Sequence, residues 1–305
     1  MKNHLQRAQD ARQTPMWGQY LKGIGWEIET AGNTQLFIKK IPLFNVSFIK
    51  IEHPFGPYPL AKIDQIAKKH KAILIVFEPH EFNYHPQQLD QFGYQKSKLM
   101  YAHTSTIKID LIQNEKELFN SFSENAKRNI RKAEKNNLKI RVVLMKDKKN
   151  WRYFEVFYGL LTNLSKIKKF YIPSRDEYRK KMTAFKEGSI LLFAYEKNVP
   201  ICVVWFACFD NVMAYFQTGI TKRGYETLAN YLLVWEGLKL AQKLKLSVFD
   251  FESIFDERFP KHLPEKKRYT DFKKRFHGEI VLYPQPWIKT YSRWGKILYL
   301  CSTLI

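Results

Sequence analysis

Cysteine is scarce in this 305-residue chain, which carries three thiols, Cys202, Cys208 and Cys301. They are too few and too scattered for a disulfide framework, and Cys202 and Cys208 lie in a strongly apolar stretch, so they read as buried thiols in a reducing compartment. Long apolar runs are missing as well. With no stretch of about 20 uncharged apolar residues, no transmembrane helix of ordinary length is expected. The polar start, Met1 to Thr14, lacks the apolar core of a signal peptide. The expected location is the cytoplasm, with peripheral contact at the inner face of the cell membrane left open. No nucleophile elbow, Walker loop or dinucleotide glycine pattern occurs. His80 and Glu81 begin like a zinc-protease helix, but His85 comes one position late and Pro79 and Pro86 flank it, so no metal is expected. Acids are the last shortage: 29 Asp and Glu face 51 Lys and Arg, a formal charge of +22.

The composition is otherwise that of a folded protein. Hydrophobic residues make up 45% and aromatics 15% of the chain, which suffices for a sizeable core and excludes disorder. The basic excess points to phosphates of nucleic acid, nucleotides or an anionic membrane face. Short β-branched and aromatic runs predict strands at 36–41, 46–51, 73–77 and 106–111. The segment 60–70 has apolar residues at helical spacing. Asn114 and Glu117 have capping-box spacing and open a helix, and a far more basic helix follows to about Asn136, before a strand at 139–144. Helices are predicted at 151–164 and 174–185, strands at 189–195, 199–209 and 212–219, a tight turn at Lys197-Asn198, a long helix at 225–244 and a strand at 247–251. Strands, a helix and a further strand recur in both halves, which predicts an α/β protein with mixed sheets flanked by helices. The expected boundary lies near residue 146, dividing 1–146 from 147–278, with 279–305 returning to the first part.

Charge is concentrated in two places. Lys127 to Lys149 holds ten Lys or Arg and two acids, Glu134 and Asp147. On a helix Lys127, Arg131 and Lys135 share one side, with Arg128 and Lys132 beside them; such a face neutralises phosphates or is simply solvated. The second cluster, Arg258 to Arg275, interleaves Lys266, Lys267, Arg268, Lys273, Lys274 and Arg275 with Phe259, Tyr269, Phe272 and Phe276, a mixture suited to phosphate and stacking contacts. It is expected to face substrate.

The segment Asn125-Ala-Lys-Arg-Asn-Ile-Arg-Lys-Ala-Glu-Lys135 resembles the signature of the FemABX family of non-ribosomal peptidyltransferases. Other pieces follow in the family's order: Trp17-Gly-Gln-Tyr-Leu-Lys22 with Gly25-Trp26, His53-Pro-Phe-Gly-Pro57, Phe77-Glu-Pro79, the Tyr215 strand, the helix around Leu232 to Ala241, Phe249-Asp-Phe251 and Phe272-Lys-Lys-Arg-Phe276. Together they span nearly the whole chain. The resemblance implies two tandem acetyltransferase-type (GNAT) domains of the short, armless type. It also implies transfer of an amino acid from aminoacyl-tRNA, as co-substrate, to an amine of a peptidoglycan precursor, either UDP-linked or lipid-linked. Lys273 takes the family's catalytic lysine position, aimed at the tetrahedral oxyanion, and Tyr215 that of a tyrosine lining the acceptor site. Lys22 lies one place beyond the phosphate-associated lysine, whose position Leu21 holds, and Glu252-Ser253 follow Asp250 where glycine is usual. Lys127, Arg128, Arg131, Lys132, Lys274 and Arg275 are the expected contacts to tRNA or precursor phosphates.

No cofactor is expected beyond the charged tRNA, duplex DNA is not an expected partner, and the chain is expected to be a monomer. Two rivals stay open. One is a CoA-dependent GNAT N-acyltransferase acting on a sugar or envelope metabolite, although the turn Thr221 to Asn230 offers only Gly224 where spaced glycines cradle the pyrophosphate. The other is a noncatalytic RNA- or membrane-binding module. The tail, Trp287 to Ile305, runs from Lys289, Arg293 and Lys296 into Ile297, Leu298, Tyr299, Leu300, Cys301, Leu304 and Ile305. It either docks on the body or lies in a membrane interface.

Overall fold

The computed structural model describes the backbone of residues 3–304 and the side chains of residues 4–297 and of Tyr299; Leu298, Leu300, Cys301 and Leu304, as side chains, and Ile305 lie outside the described residues. Strands in chain order are β1 (Glu27–Ala31), β2 (Thr34–Ile41), β3 (Val46–Glu52), β4 (Ala72–Glu78), β5 (Gln95–Lys96), β6 (Ser105–Asp110), β7 (Lys139–Leu144), β8 (Ser189–Glu196), β9 (Val199–Phe209), β10 (Val212–Ile220), β11 (Val248–Ser253), β12 (Glu279–Leu282) and β13 (Trp287–Thr290). They form two mixed sheets, ordered β1-β2-β3-β4-β13-β5 and β12-β6-β11-β10-β9-β8-β7. The chain divides into two compact units, 1–105 with 281–305 and 106–280. The α/β class with mixed sheets and flanking helices holds in both.

In the first unit β3 and β4 run parallel from Phe48↔Leu74 to Glu52↔Glu78, joined by the helix Leu60–Lys69. A parallel neighbour requires such a crossover. The helix buries Leu60, Ile63, Ile66 and Ala67 on one stripe, each large side chain contributing about 1.5–3 kcal/mol. Every residue of β4 is buried, as a central strand covered on both faces should be. β13 pairs antiparallel with β4 and is tied to the crossover helix by the Lys289–Asp64 ion pair at 2.5 Å.

The second unit repeats the plan. β10 and β11 run parallel and are linked through the helices Lys222–Glu226 and Ala229–Lys243. The basic helix Glu124–Glu134 buries Ala126, Ile130 and Ala133 and packs on Ala229–Lys243. Its preceding helix, Glu115–Ser121, carries the full capping box of Asn114 and Glu117. Lys197 and Asn198, both at positive φ, make the β8–β9 turn, as a two-residue hairpin demands.

Four features differ from the sequence reading. The division falls at Ser105/Thr106, not near residue 146, because β6 pairs with β11 and the segment 106–146 therefore belongs to the second sheet. The helix expected over 225–244 is two helices, broken where Leu228 adopts a left-handed conformation at φ 59. The tail begins as β13, and its helix starts only at Arg293. β1, with the sequence Glu-Ile-Glu-Thr-Ala, is an additional edge strand.

Helix Arg152–Lys168 lies across β10, burying Phe154, Phe157, Leu161 and Leu164. The close approach rests on Gly219, where an added Cβ would sit 2.7 Å from the Leu161 backbone nitrogen. Backbone cannot swing aside as a side chain can. Gly219→Ala is expected to destabilise the second unit by about 1–3 kcal/mol, read as a fall in its thermal midpoint; an unchanged midpoint would show that the helix rides free of the strand.

Candidate functional site

The second unit's site is made by two strands that part. β10 and β11 are in parallel register only from Val212↔Val248 to Ala214↔Asp250. Beyond this, β10 is irregular between Tyr215 and Gln217, and β11 shifts its register against β6 between Asp250 and Ser253. Glu252 holds φ 59, a left-handed conformation that favours glycine. Carbonyls released from a ladder need new donors. Lys273, from the helix Lys267–Lys274, supplies them: its Nζ donates to Phe251 O at 2.7 Å and Ser253 O at 2.6 Å.

Lys273 is buried, 7% exposed, and its ammonium lies 5.6 Å from the centre of the Tyr215 ring. Tyr215 hydrogen-bonds Thr218. The Asp250 carboxylate, also buried, accepts the Glu252 N–H at 2.7 Å and the Thr106 hydroxyl. Burial pulls the Lys273 amine down to about 7, with Lys266 adding to the fall and Glu252 and Asp250 opposing it. Burial pushes the Asp250 carboxyl up to about 6, against the pull of Lys108, and raises the Tyr215 phenol. An ammonium has three donors, and two are engaged here by the backbone carbonyls. The third makes no hydrogen bond among the described residues. The Ser253 hydroxyl is also buried without a hydrogen-bond partner among the described residues. A buried cation can stabilise a developing oxyanion.

The remaining sequence candidates fall into different settings. Arg128, Arg131, Lys132 and Lys274 are exposed, Arg131 lying 5.3 Å from the Phe119 ring centre. Lys127 pairs with Glu124 at 2.6 Å in the same helix. Arg275 is half-buried and structural: its guanidinium donates to Tyr231 and, at 3.3 Å, to Asn125, while its carbonyl accepts the Ser123 N–H. That locks the start of the basic helix to Ala229–Lys243. Arg258, in the basic loop, pairs with Asp256 at 2.6 Å. The structure thus brings Lys273 and Tyr215 together and leaves an exposed cationic face on Glu124–Glu134. Sequence reasoning passed over Lys108, Thr106 and Ser253; only the pairing of β6 with β11 makes the first two neighbours of Asp250.

In the first unit a cavity of about 860 Å³ is lined by Gln9, Gln13, Thr30, Gln35, Phe55 and Phe82, among others. Its wall is braced by Gln13, which donates to Glu52 O at 2.7 Å and accepts the Gln35 N–H at 2.8 Å. Lys22 is exposed on the helix Pro15–Gly23, whose other face buries Tyr20 and Leu21, and it does not line this cavity. Among the described residues of the first unit, Asp10, His53 and His103 form a group that could hold a metal; His80 and Glu81, the weak motif in the sequence, are not members of it.

The fold compares with solved structures as follows. FemX superposes with a TM-score of 0.78 at 14% identity, covering 99% of this chain and 98% of that one. The C-terminal domain of an Agrobacterium fabrum protein assigned as a lysylphosphatidylglycerol synthetase gives 0.63 at 9% identity, over 99% and 94% of the two chains. L-PGS from Bacillus licheniformis gives 0.57 at 9% identity, over 93% and 90%. No protein-family model and no curated protein sequence matches this chain. The chain has the FemX-like fold, two GNAT-like units in tandem, as the resemblance of its motifs implied.

The buried ammonium makes a pH prediction. An amine depressed in the folded protein binds fewer protons than the unfolded chain between about pH 7 and the ordinary lysine value of about 10.4. Unfolding takes up a proton in that window, so Lys273 lets stability rise with pH there. The thermal-midpoint difference between wild type and Lys273→Met should therefore grow in favour of wild type as pH rises above 7; a flat difference would mean that the ammonium is not desolvated.

Proposed function

We propose that this protein is an aminoacyltransferase that moves an amino acid from aminoacyl-tRNA to an amine of a peptidoglycan precursor. The observation that carries the reading is Lys273: a buried lysine, seated where two parallel strands part, with one N–H to spare. In the reaction the acceptor nitrogen attacks the ester carbonyl carbon, and a tetrahedral oxyanion forms. Collapse breaks the bond to the ribose oxygen. The amine gives up one proton and the departing ribose hydroxyl gains one, so amide and free tRNA balance the substrates. Lys273 faces the oxyanion, which exists only on the way to product, and an interaction confined to that state raises turnover and not merely binding.

The exposed face of Arg128, Arg131 and Lys132 suits the tRNA backbone, since each neutralised phosphate releases counterions and makes binding salt-dependent. The cavity of the first unit suits a polar acceptor, with the amides of Gln13 and Gln35 buried at its wall. The test is incubation with radiolabelled charged tRNA pools and with UDP-linked and lipid-linked precursors, followed by mass analysis. Transfer is expected. Lys273→Met should lower turnover about 10²–10³-fold, and Arg131→Glu with Lys132→Glu should raise KM for the tRNA and flatten its salt dependence. Stabilisation by coenzyme A with no response to charged tRNA would instead favour the N-acyltransferase, and binding without any transfer the noncatalytic module.

A membrane-borne acceptor is favoured by one observation. On the C-terminal helix Trp294 is 72% and Ile297 49% exposed, next to Arg293 and Lys296, a combination suited to an anionic interface. Among the described residues no helix is long and apolar enough to cross a membrane. Gly295 packs against the backbone of Ile73, so truncation would disturb the sheet, whereas Trp294→Ser with Ile297→Ser would not. The double substitution should weaken binding to vesicles containing phosphatidylglycerol; unchanged sedimentation would remove the membrane from this reading.

A further inference from the structure

Three side chains from distant parts of the first unit meet in its interior. Asp10 precedes the short helical turn Ala11–Gln13, His53 follows β3, and His103 lies in the loop before β6. All are buried: Asp10 is 3%, His53 2% and His103 4% exposed. One donor atom of each lies within 4.8 Å of the others. Three atoms so placed can all lie within about 2.8 Å of a single point, somewhat beyond the roughly 2.0–2.1 Å of a zinc–ligand bond. His53 Nδ1 and Asp10 Oδ2 are already 2.9 Å apart, close to the roughly 3 Å edge of such a coordination shell.

The surroundings are those of a supported site. Asp10 Oδ1 accepts the Arg12 backbone N–H at 2.8 Å and its guanidinium at 3.0 Å, which turns Oδ2 towards His53. Tyr283 stacks on the His53 ring, centroids 3.9 Å apart and planes 15° apart, and its hydroxyl donates to Asp10 Oδ2 at 3.3 Å. Ligating carboxylates and imidazoles need this kind of orientation. His53 itself sits at φ 51, a conformation uncommon outside glycine.

Two further carboxylates, Glu52 and Glu78, are 2% and 3% exposed. Glu78 Oε1 accepts the N–H groups of Tyr101 and Ala102, at 2.8 and 2.9 Å, immediately before His103. Glu52 Oε1 pairs with Lys50 at 2.8 Å. The Oε2 atoms of both glutamates are buried with no hydrogen-bond partner among the described residues. Buried polar atoms left without a partner are costly.

We propose that Asp10, His53 and His103 bind one divalent transition-metal ion of the zinc class. Two imidazoles with one carboxylate form a donor set that suits zinc and its neighbours over calcium or magnesium. Drawn from these three places, the ligands would tie the N-terminal segment, the end of β3 and the 97–104 loop to one another through the ion. The inference does not depend on the transferase reading.

The test uses the full chain. Protein purified from zinc-supplemented culture without chelator should contain about one zinc per chain by elemental analysis. Chelator-treated protein should regain thermal stability with added Zn²⁺, and with Co²⁺ should show visible d–d bands. His103→Ala and Asp10→Asn should lose both the metal and the bands, whereas His277→Ala, in the second unit, should keep them. The cobalt spectrum of wild type decides the question even if the variants fold poorly. Metal-free protein that gives no d–d bands with Co²⁺ would overturn the proposal, as would metal lost equally in His277→Ala.

Discussion

The second unit is organised by the need to satisfy two carbonyls that its sheet abandons. β10 and β11 keep parallel register for three residue pairs and then separate. The cleft this opens leaves Phe251 O and Ser253 O facing the interior, where each unsatisfied group would cost about 1–3 kcal/mol. A single lysine answers both. Around it lie the Asp250 carboxylate, the Tyr215 ring and the left-handed backbone of Glu252. Desolvation then lowers the amine to about 7 and raises the carboxyl to about 6.

The first unit repeats the architecture without repeating the chemistry. Its parallel pair, β3 and β4, ends on Glu52 and Glu78, and its interior at that end gathers carboxylates, imidazoles and a tyrosine where the second unit has Lys108, Lys273 and Asp250. Burial pushes Glu78 up to about 7, with the charge of Glu52 adding to the rise. One fold thus supports a cationic and an anionic interior, because the sheet positions side chains and does not prescribe them.

The elements were largely legible in the sequence. β4 reads as an apolar run and is buried throughout; Leu60–Lys69 shows its stripe; the Asn114 capping box and the Lys197-Asn198 turn are local chemistry that tertiary structure did not override. The misreadings have local causes. β1 alternates with glutamates that suit an exposed edge, and so lacked a strand's usual apolar pattern. Leu228 breaks the long helix through a backbone conformation that leucine does not advertise. The break between units was invisible because β6 is claimed by β11, more than 140 residues later, and nothing in the intervening composition marks it.

The same division holds for function. The sequence alone determined the basic excess, the cationic helix face and, through the resemblance of ordered motifs, Lys273 as the residue to watch, since residue types and spacings are local properties. Only the tertiary structure decided that Lys273 is buried, that Arg275 braces two helices, and that Asp10, His53 and His103 share one interior. Burial and convergence come from strand pairing between segments far apart in the chain, and desolvation, which sets the charge state of each group, exists only once that pairing has excluded water.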